Sequence, residues 1–353
     1  MDVVMTVLLF LPILAVLWLA NLSHRKRIEG DLRGERTLKI LSYGLLFLLY
    51  GILVLGGLAF LVAGLAATAA PEAFSTVDLA AAGFQVERLP WMGAALLILS
   101  LIGLLLLTRP ARRLFARFTP IDPSHPVHAV ALSMTALVLI NLAFTMAVGI
   151  DNLADMLQTS AQAGVQSNPA PGLWVQNITF VLMGLIGVGL FARRSLGAAL
   201  ARLGIVVLSW GQVILGLVTG LVMVPLVIGA ESLAGQLGLG ASEGVERLTE
   251  QLIGPLTMSI PGILTLGLAA ALGEETIFRG ALQPRFGLVF TTLLFALLHS
   301  QYGLSFSTVA VFVIGLVLGI LRQRANTSTA MITHAVYNMS LGLISFLGLL
   351  QNV

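Results

Sequence analysis

Residues 40–68 read ILSYGLLFLLYGILVLGGLAFLVAGLAAT, twenty-nine positions without one acid or base. As a helix rising 1.5 Å per residue, this stretch spans about 43 Å. A bilayer's hydrocarbon core is about 30 Å thick, so one membrane crossing is covered with length to spare. The excess predicts tilt or a kink. Similar apolar runs fall at about 3–21, 89–108, 129–150, 173–191, 203–229, 251–273, 286–299, 305–321 and 327–350. The run at 286–299 is short, as a broken or partly buried helix would be. The expected fold class is therefore all-α, a polytopic transmembrane helical bundle of about 8–10 spans.

Composition agrees. Of 353 residues, 58% are hydrophobic and 10% charged, and the mean hydropathy is +0.99. Soluble domains carry about 25% charged residues, and a chain this apolar could not cover its own surface with polar groups. A soluble enzyme, a disordered chain and a nucleic-acid-binding protein are excluded. The pI near 9.7 reflects a net charge of only +3, which loop charges at a membrane surface explain. With no cysteine, disulfide and thiolate chemistry are excluded too.

Charge sorts across the bilayer. If the spans alternate, the segments 22–39, 109–128 and 192–202, with Arg279, Arg285, Arg322 and Arg324, share one side. They hold 17 of the 19 basic residues, and only Arg88 and Arg247 fall opposite. The opposite side collects Glu72, Asp78, Glu87, Asp151, Asp155, Glu231, Glu243, Glu246 and Glu250. The positive-inside rule makes the basic side cytoplasmic and puts the N-terminus outside. The first span has its basic cluster after the apolar core, as an uncleaved anchor does. Arg109–Phe118, with arginines at helical spacing, reads either as an interfacial helix or as a basic loop. The outer loops 69–88, 151–172 and 230–250 are too short for folded domains. Gly216/Gly220 and Gly315/Gly319 have GxxxG spacing, which marks close helix packing and proves no dimer.

Ionisable side chains inside spans are expensive and mark function. The first 250 residues have almost none within the apolar runs, whereas the last hundred hold three groups. These are Gly273-Glu274-Glu275-Thr276-Ile277-Phe278-Arg279, Phe295-Ala296-Leu297-Leu298-His299 and His334-Ala335-Val336-Tyr337-Asn338. Glu275 and Arg279 stand at i, i+4 and can pair. Glu274 is turned by about 100° and left free. Phe295 can shield and orient His299. His334 and Asn338 share a face and can donate toward a common point, as an oxyanion requires. A free carboxylate, two imidazoles and an amide donor suit amide hydrolysis by water, since no Cys and no Gly-x-Ser-x-Gly turn offers a nucleophile. Taken singly, each group also reads as structural, either a satisfied ion pair or a packing histidine. Their clustering is what points to a site.

At these residues the chain resembles the CPBP intramembrane proteases, which include the type II CAAX prenyl endopeptidases and bacteriocin-processing or self-immunity proteins. The carriers are Glu274-Glu275-x-x-x-Arg279, Phe295-x-x-x-His299 and His334-x-x-x-Asn338, in that order, with Gly280-Ala281-Leu282-Gln283 following the first. The resemblance covers about 250–345. It implies an endopeptidase unit over 249–350, preceded by a transmembrane region of about six spans over 1–248 whose role it does not address. It implies an active site in the C-terminal third, opening to the cytoplasm. Glu274 would be the base on water, with His299 holding that water. Glu275 would pair with Arg279 and shape the site, and His334 and Asn338 would hold the oxyanion. His299 and His334 with Glu274 could instead ligate a zinc ion, although no His-Glu-x-x-His is present. Asn338 beside His334 favours the metal-free reading. Expected partners are the lipid bilayer and a membrane-associated peptide or protein, whether CAAX-like or bacteriocin-like, in a prokaryotic plasma membrane. Neither prenylation of the substrate nor the oligomeric state is legible. Competing classes are a proton- or ion-coupled transporter and a non-catalytic scaffold or immunity protein. A transporter would show paired halves, which are missing here.

Overall fold

The computed structural model describes residues 3–70, 85–162 and 168–349; Glu72, Asp78 and parts of two outer loops lie outside them. In chain order the helices are α1 Val3–Ile28, α2 Leu32–Ala69, α3 Leu89–Leu106, α4 Arg109–Phe115, α5 Pro126–Val148, α6 Ile150–Gln162 and α7 Pro169–Val188. There follow α8 Leu196–Leu203, α9 Trp210–Gln236, α10 Glu243–Thr257, α11 Ile260–Glu275, α12 Leu288–Leu298, α13 Phe306–Arg324 and α14 Thr327–Phe346. A π-helical segment, Thr276–Leu282, continues α11, and a last turn ends it at Phe286. Among the described residues, seven helices are long and apolar enough to cross a membrane, and α12 is a shorter apolar helix. The fold is a polytopic helical membrane bundle. Its outer faces carry exposed Phe47, Leu55, Leu226 and Val313, as lipid-facing surfaces do.

Several expectations shift. The 40–68 run lies within one unbroken 38-residue helix, α2. The basic segment 22–39 is not a loop: α1 and α2 meet at a turn through Gly30 (φ 81°), and the charges ride on helix ends. The 109–128 linker opens with a seven-residue helix, α4. The run at 251–273, read as one span, belongs to two helices. Ser259 is extended, its Oγ accepts from the Gly262 N–H (3.2 Å), and Pro261 follows in the first turn of α11. These are helix-start signals, so the crossing begins at Ile260. The preceding α10 is amphipathic and packs on α6, where Arg247 bonds Asp155 (2.9 Å) and Asp151 (3.4 Å). The two helices cap the acidic end of the bundle, where loops were expected.

The charge sorting has a geometric counterpart. Arg25 donates to the Ala192 carbonyl (3.2 Å), Arg27 to that of Ser124 (3.4 Å) and Arg202 to that of Gly280 (3.2 Å). The basic segments therefore meet at one end of the molecule.

Two packing centres frame the motif helices. In the first, α1, α2, α3 and α5 close around Leu46 and Tyr50. The Tyr50 hydroxyl donates to the Ser133 carbonyl (2.6 Å), and Ser133 Oγ donates to that of Gly103 (2.7 Å). In the second, α9, α13 and α14 pack Met223, Leu318 and Tyr337 together. The Gly216/Gly220 pair works inside this seam: a Cβ on Gly220 would stand 2.8 Å from the Thr333 carbonyl oxygen. The small residues let α9 lie against α14 within one chain. α11 lies against α7 and α14, so the motif helix touches residues from both parts of the chain.

Candidate active site

α11 delivers the two carboxylates at its C-terminal end, and the π-helical segment begins immediately after them. π-segments are rare and concentrate at functional sites. Glu275 is fully buried, and Arg279 is 1% exposed. Arg279 Nη1 donates to Glu275 Oε1 at 3.0 Å, the pair the spacing predicts. The guanidinium is held on two further sides. Nη2 donates to the Gly315 carbonyl (3.2 Å), and its carbon sits 4.1 Å from the centre of the Phe295 ring. A Cβ on Gly315 would lie 2.9 Å from the Thr292 methyl and 3.4 Å from Nη2, so this glycine admits the guanidinium. The Gly315/Gly319 pair therefore serves the motif helix; the Gly319 carbonyl accepts from Gln283 Nε2 at 2.8 Å.

Fifty-nine residues further on, His334 Nδ1 lies 2.9 Å from the same Glu275 Oε1. The carboxylate can only accept, so Nδ1 carries the proton and Nε2 is left for the site. His299 is fixed in the same sense, with Nδ1 2.9 Å from the Phe295 carbonyl oxygen. Phe295 stands between the two imidazoles, edge-on to both, at centroid distances of 4.8 Å and 6.2 Å. The Tyr302 ring lies parallel to that of His299, with centroids 6.2 Å apart.

Glu274 is half-buried, and its Oε2 is buried without a hydrogen-bond partner. Helix rotation turns it away from the Arg279–Glu275 contact, as expected. Asn338 does not share a point with His334 in this conformation: its Nδ2 donates, at 3.4 Å, to the Leu266 carbonyl on α11. Glu275, Arg279 and His334 are thus in direct contact, and His299 joins them through Phe295. Glu274 and Asn338 flank the group without bonding to it.

The imidazoles have the tautomers that metal ligands need, with the outer nitrogen of each held by an oxygen acceptor. The positions do not follow. Among the described residues, no three His, Cys, Asp or Glu side chains converge to hold an ion. The His299–His334–Glu274 zinc set does not fit this geometry.

Sequence reading passed over the uncharged amides. Asn177 on α7 is buried against Gly273, where a Cβ would meet Asn177 Oδ1 at 2.2 Å, and that oxygen has no partner. Asn141 on α5 donates to Ser300 Oγ (2.9 Å), beside His299. Each was visible as an amide inside an apolar run, a signal lost when only ionisable groups are weighed.

No curated protein and no solved structure matches the chain. Residues 256–340, about a quarter of the chain and the part bearing all six motif positions, match the family described as type II CAAX prenyl endopeptidase Rce1-like, consistent with the CPBP resemblance of the motifs.

Proposed function

We propose that this protein is an intramembrane endopeptidase of the CPBP type that hydrolyses peptide bonds of membrane-associated substrates with an activated water. The observation that carries the reading is the Glu275 carboxylate. One of its oxygens ties Arg279 and His334, and so the first and third motifs, into one buried unit. Beside that unit, Glu274 keeps a carboxylate oxygen free of any protein partner.

The chemistry follows from the hydrogen-bond roles. Glu274 takes a proton from water as the water attacks the peptide carbonyl, and returns it to the leaving amine. His299, proton on Nδ1, accepts from the same water at Nε2 and fixes its direction. The oxyanion needs donors. Asn338 supplies one by releasing its long bond to Leu266. His334 supplies another only as an imidazolium, because its neutral form here carries the proton toward Glu275; Glu275 then neutralises that imidazolium from behind. Arg279 holds Glu275 in place. No step runs through a metal.

Under this reading, the basic end and the site open to the cytoplasm across a prokaryotic plasma membrane. Substrates are peptides or C-termini held at that surface, CAAX-like ones included. Residues 249–350 carry the chemistry.

The test is a cleavage screen of candidate peptides in proteoliposomes of the full chain, read by mass spectrometry, with Glu274→Gln as the matched control. A peptide cut by the parent and spared by E274Q supports the assignment. Equal cutting by both sinks it.

A further inference from the structure

A cavity of about 820 Å³ lies behind the catalytic set. Ile277, Phe278, Ala281 and Leu282 of the π-segment form one wall, and α1, α5 and α7 form the others. Glu274, Glu275, His299 and His334 do not line it. It is therefore separate from the proposed site, yet shares a helix with it.

The lining is polarised along its length. On α5 it runs from Val127 to Asn141, and on α7 from Val188 back to Gln176. Fourteen residues of α5 rise about 21 Å, more than the ~15 Å depth of one leaflet. At one end stand Arg193, Arg194, Arg202 and Arg285. Beyond them the walls are mostly apolar, with Leu17, Ile13, Met134, Val138, Met183 and Phe278, and the polar Thr135, Asn141 and Gln176 stand farther along α5 and α7. The arginines come from the segment after α7, from α8 and from the turn that ends the π-segment.

The charge at that end is strongly positive, four arginines against one acid. Among the described residues, none of the four arginines forms a salt bridge. The one acid in the lining, Asp122, has its Oδ1 taken by the Ser124 N–H (2.8 Å) and Oγ (2.7 Å). Arg193 donates to Asn21 Oδ1 (2.9 Å) and Arg202 to the Gly280 carbonyl (3.2 Å), which leaves guanidinium N–H groups over. Burial, and then the neighbouring arginines, push both guanidinium groups down to about 10. The rings of His24, His125 and His128 stack beside them, with centroids 3.9 Å and 4.3 Å apart. Burial and the adjacent imidazoles hold His125 far below the usual histidine range, so at neutral pH that ring adds no charge.

We propose that this cavity binds one anionic glycerophospholipid from the leaflet on the basic side, its phosphate on the arginines and an acyl chain between α1, α5 and α7. Four arginines lining one end against a single carboxylate, Asp122, are a phosphate-binding arrangement. Basic pockets between membrane helices take lipid head groups in this way. The apolar depth behind them selects an esterified phosphate over a free one. The bound chain would brace Phe278, which packs edge-on to Phe295 (5.4 Å) and so supports the ring that orients both imidazoles.

The experiment uses the purified, delipidated full chain in uncharged detergent. Phosphatidylglycerol, phosphatidylcholine of equal chain length, glycerol phosphate and inorganic phosphate are compared by native mass spectrometry and by melting temperature. One phosphatidylglycerol should be retained and should raise the melting temperature, while the other three do neither. Arg202→Gln and Arg285→Gln should each weaken retention roughly fivefold, the loss expected for one basic contact at a membrane surface, and Arg285→Lys should largely restore it. Arg285 is exposed and makes no side-chain hydrogen bond, so its variants test the site even if R202Q fails to fold. Equal retention of phosphatidylcholine would reduce the cavity to a greasy slot and overturn the proposal. So would an equal melting shift from inorganic phosphate, or phosphatidylglycerol retention that is undiminished in R285Q. None of these readouts depends on peptidase activity, so the proposal fails or stands apart from the functional assignment.

Discussion

The buried Glu275–Arg279 pair permits a quantitative test. Arg279→Met removes a guanidinium that is 1% exposed and leaves a fully buried carboxylate with His334 as its one partner. Breaking a buried pair from one side costs about 3–5 kcal/mol, because the remaining charge is stranded. A value of about 4 kcal/mol would take a large share of a typical stability of about 5–15 kcal/mol. Glu275→Gln strands the arginine instead, but Arg279 keeps the Gly315 carbonyl and the Phe295 face. A desolvated cation–π contact is worth about 2 kcal/mol, so this variant should lose less, about 3 kcal/mol. Additivity would put the double variant near 7 kcal/mol, whereas a pair predicts about 3 kcal/mol, since no charge is then stranded. The assay is reversible unfolding in mixed micelles, followed by the fluorescence of the four tryptophans. A coupling near 4 kcal/mol is expected, far above the 0.3–0.5 kcal/mol scatter of independent sites. The double variant should fold and remain inactive. Additive losses within about 0.5 kcal/mol would refute the pairing argument, because distant residues behave that way.

Other expectations are more direct. Glu274→Gln should abolish cleavage and shift stability by no more than about 0.5 kcal/mol, since its buried Oε2 bonds nothing in the protein; a large loss of stability would assign Glu274 to the scaffold. Asn338→Ala should lower kcat by about 10²–10³ with KM little changed if the amide serves the oxyanion, and a pure KM effect would remove it from that role. Gly220→Val should cost about 1–3 kcal/mol in the same unfolding assay, because its Cβ would press on the Thr333 carbonyl across the α9–α14 seam; a neutral result would mean the seam is loose. Reporters fused after Arg117 or Arg194 should stay on one side of the membrane and those after Asp155 or Glu243 on the other, and a mixed pattern would undo the charge sorting.

The membrane bundle was legible because a run such as 40–68 has one physical solution in lipid, a helix that satisfies its own backbone. The C-terminal polar cluster was legible because charge inside such a run is costly. Harder to see was anything set by contacts distant in sequence. Helical spacing anticipated Arg279 beside Glu275, but spacing operates within one helix and could not place His334 on the same oxygen. The π-segment depends on how α7, α8 and α13 pack around Thr276–Leu282, and nothing in that heptapeptide announces it. Charge also misled where it was equated with loop. Of the basic residues after the first span, Arg25, Lys26 and Arg27 sit in the last turn of α1, where the helix dipole favours them, and Arg33, Arg36 and Lys39 lie in the first turns of α2, where long side chains snorkel to the interface. Amphipathic α6 and α10 passed as outer loops, since helices that lie against each other outside the membrane need no long apolar run.

In the proposed mechanism the adjacent glutamates divide the work of the site, and the division follows from their positions on one helix. Consecutive helical residues differ by about 100°, so a helix packed on both α7 and α14 cannot bury both carboxylates in the same way. Glu275 faces inward, gives one oxygen to a guanidinium and an imidazole from different elements, and makes the position of His334 depend on the position of Arg279. Replacing it must disturb folding and chemistry together. Among the described residues Glu274 has no hydrogen-bond or ion-pair partner, which in the proposed mechanism leaves it free to exchange protons with substrate. A carboxylate that carried both duties would have to break its structural ion pair in each catalytic cycle, at the several kcal/mol that stranding a buried charge costs. Under the proposed mechanism, placing the pair side by side avoids that cost, because the proton moves on one glutamate while the other keeps the imidazole aligned.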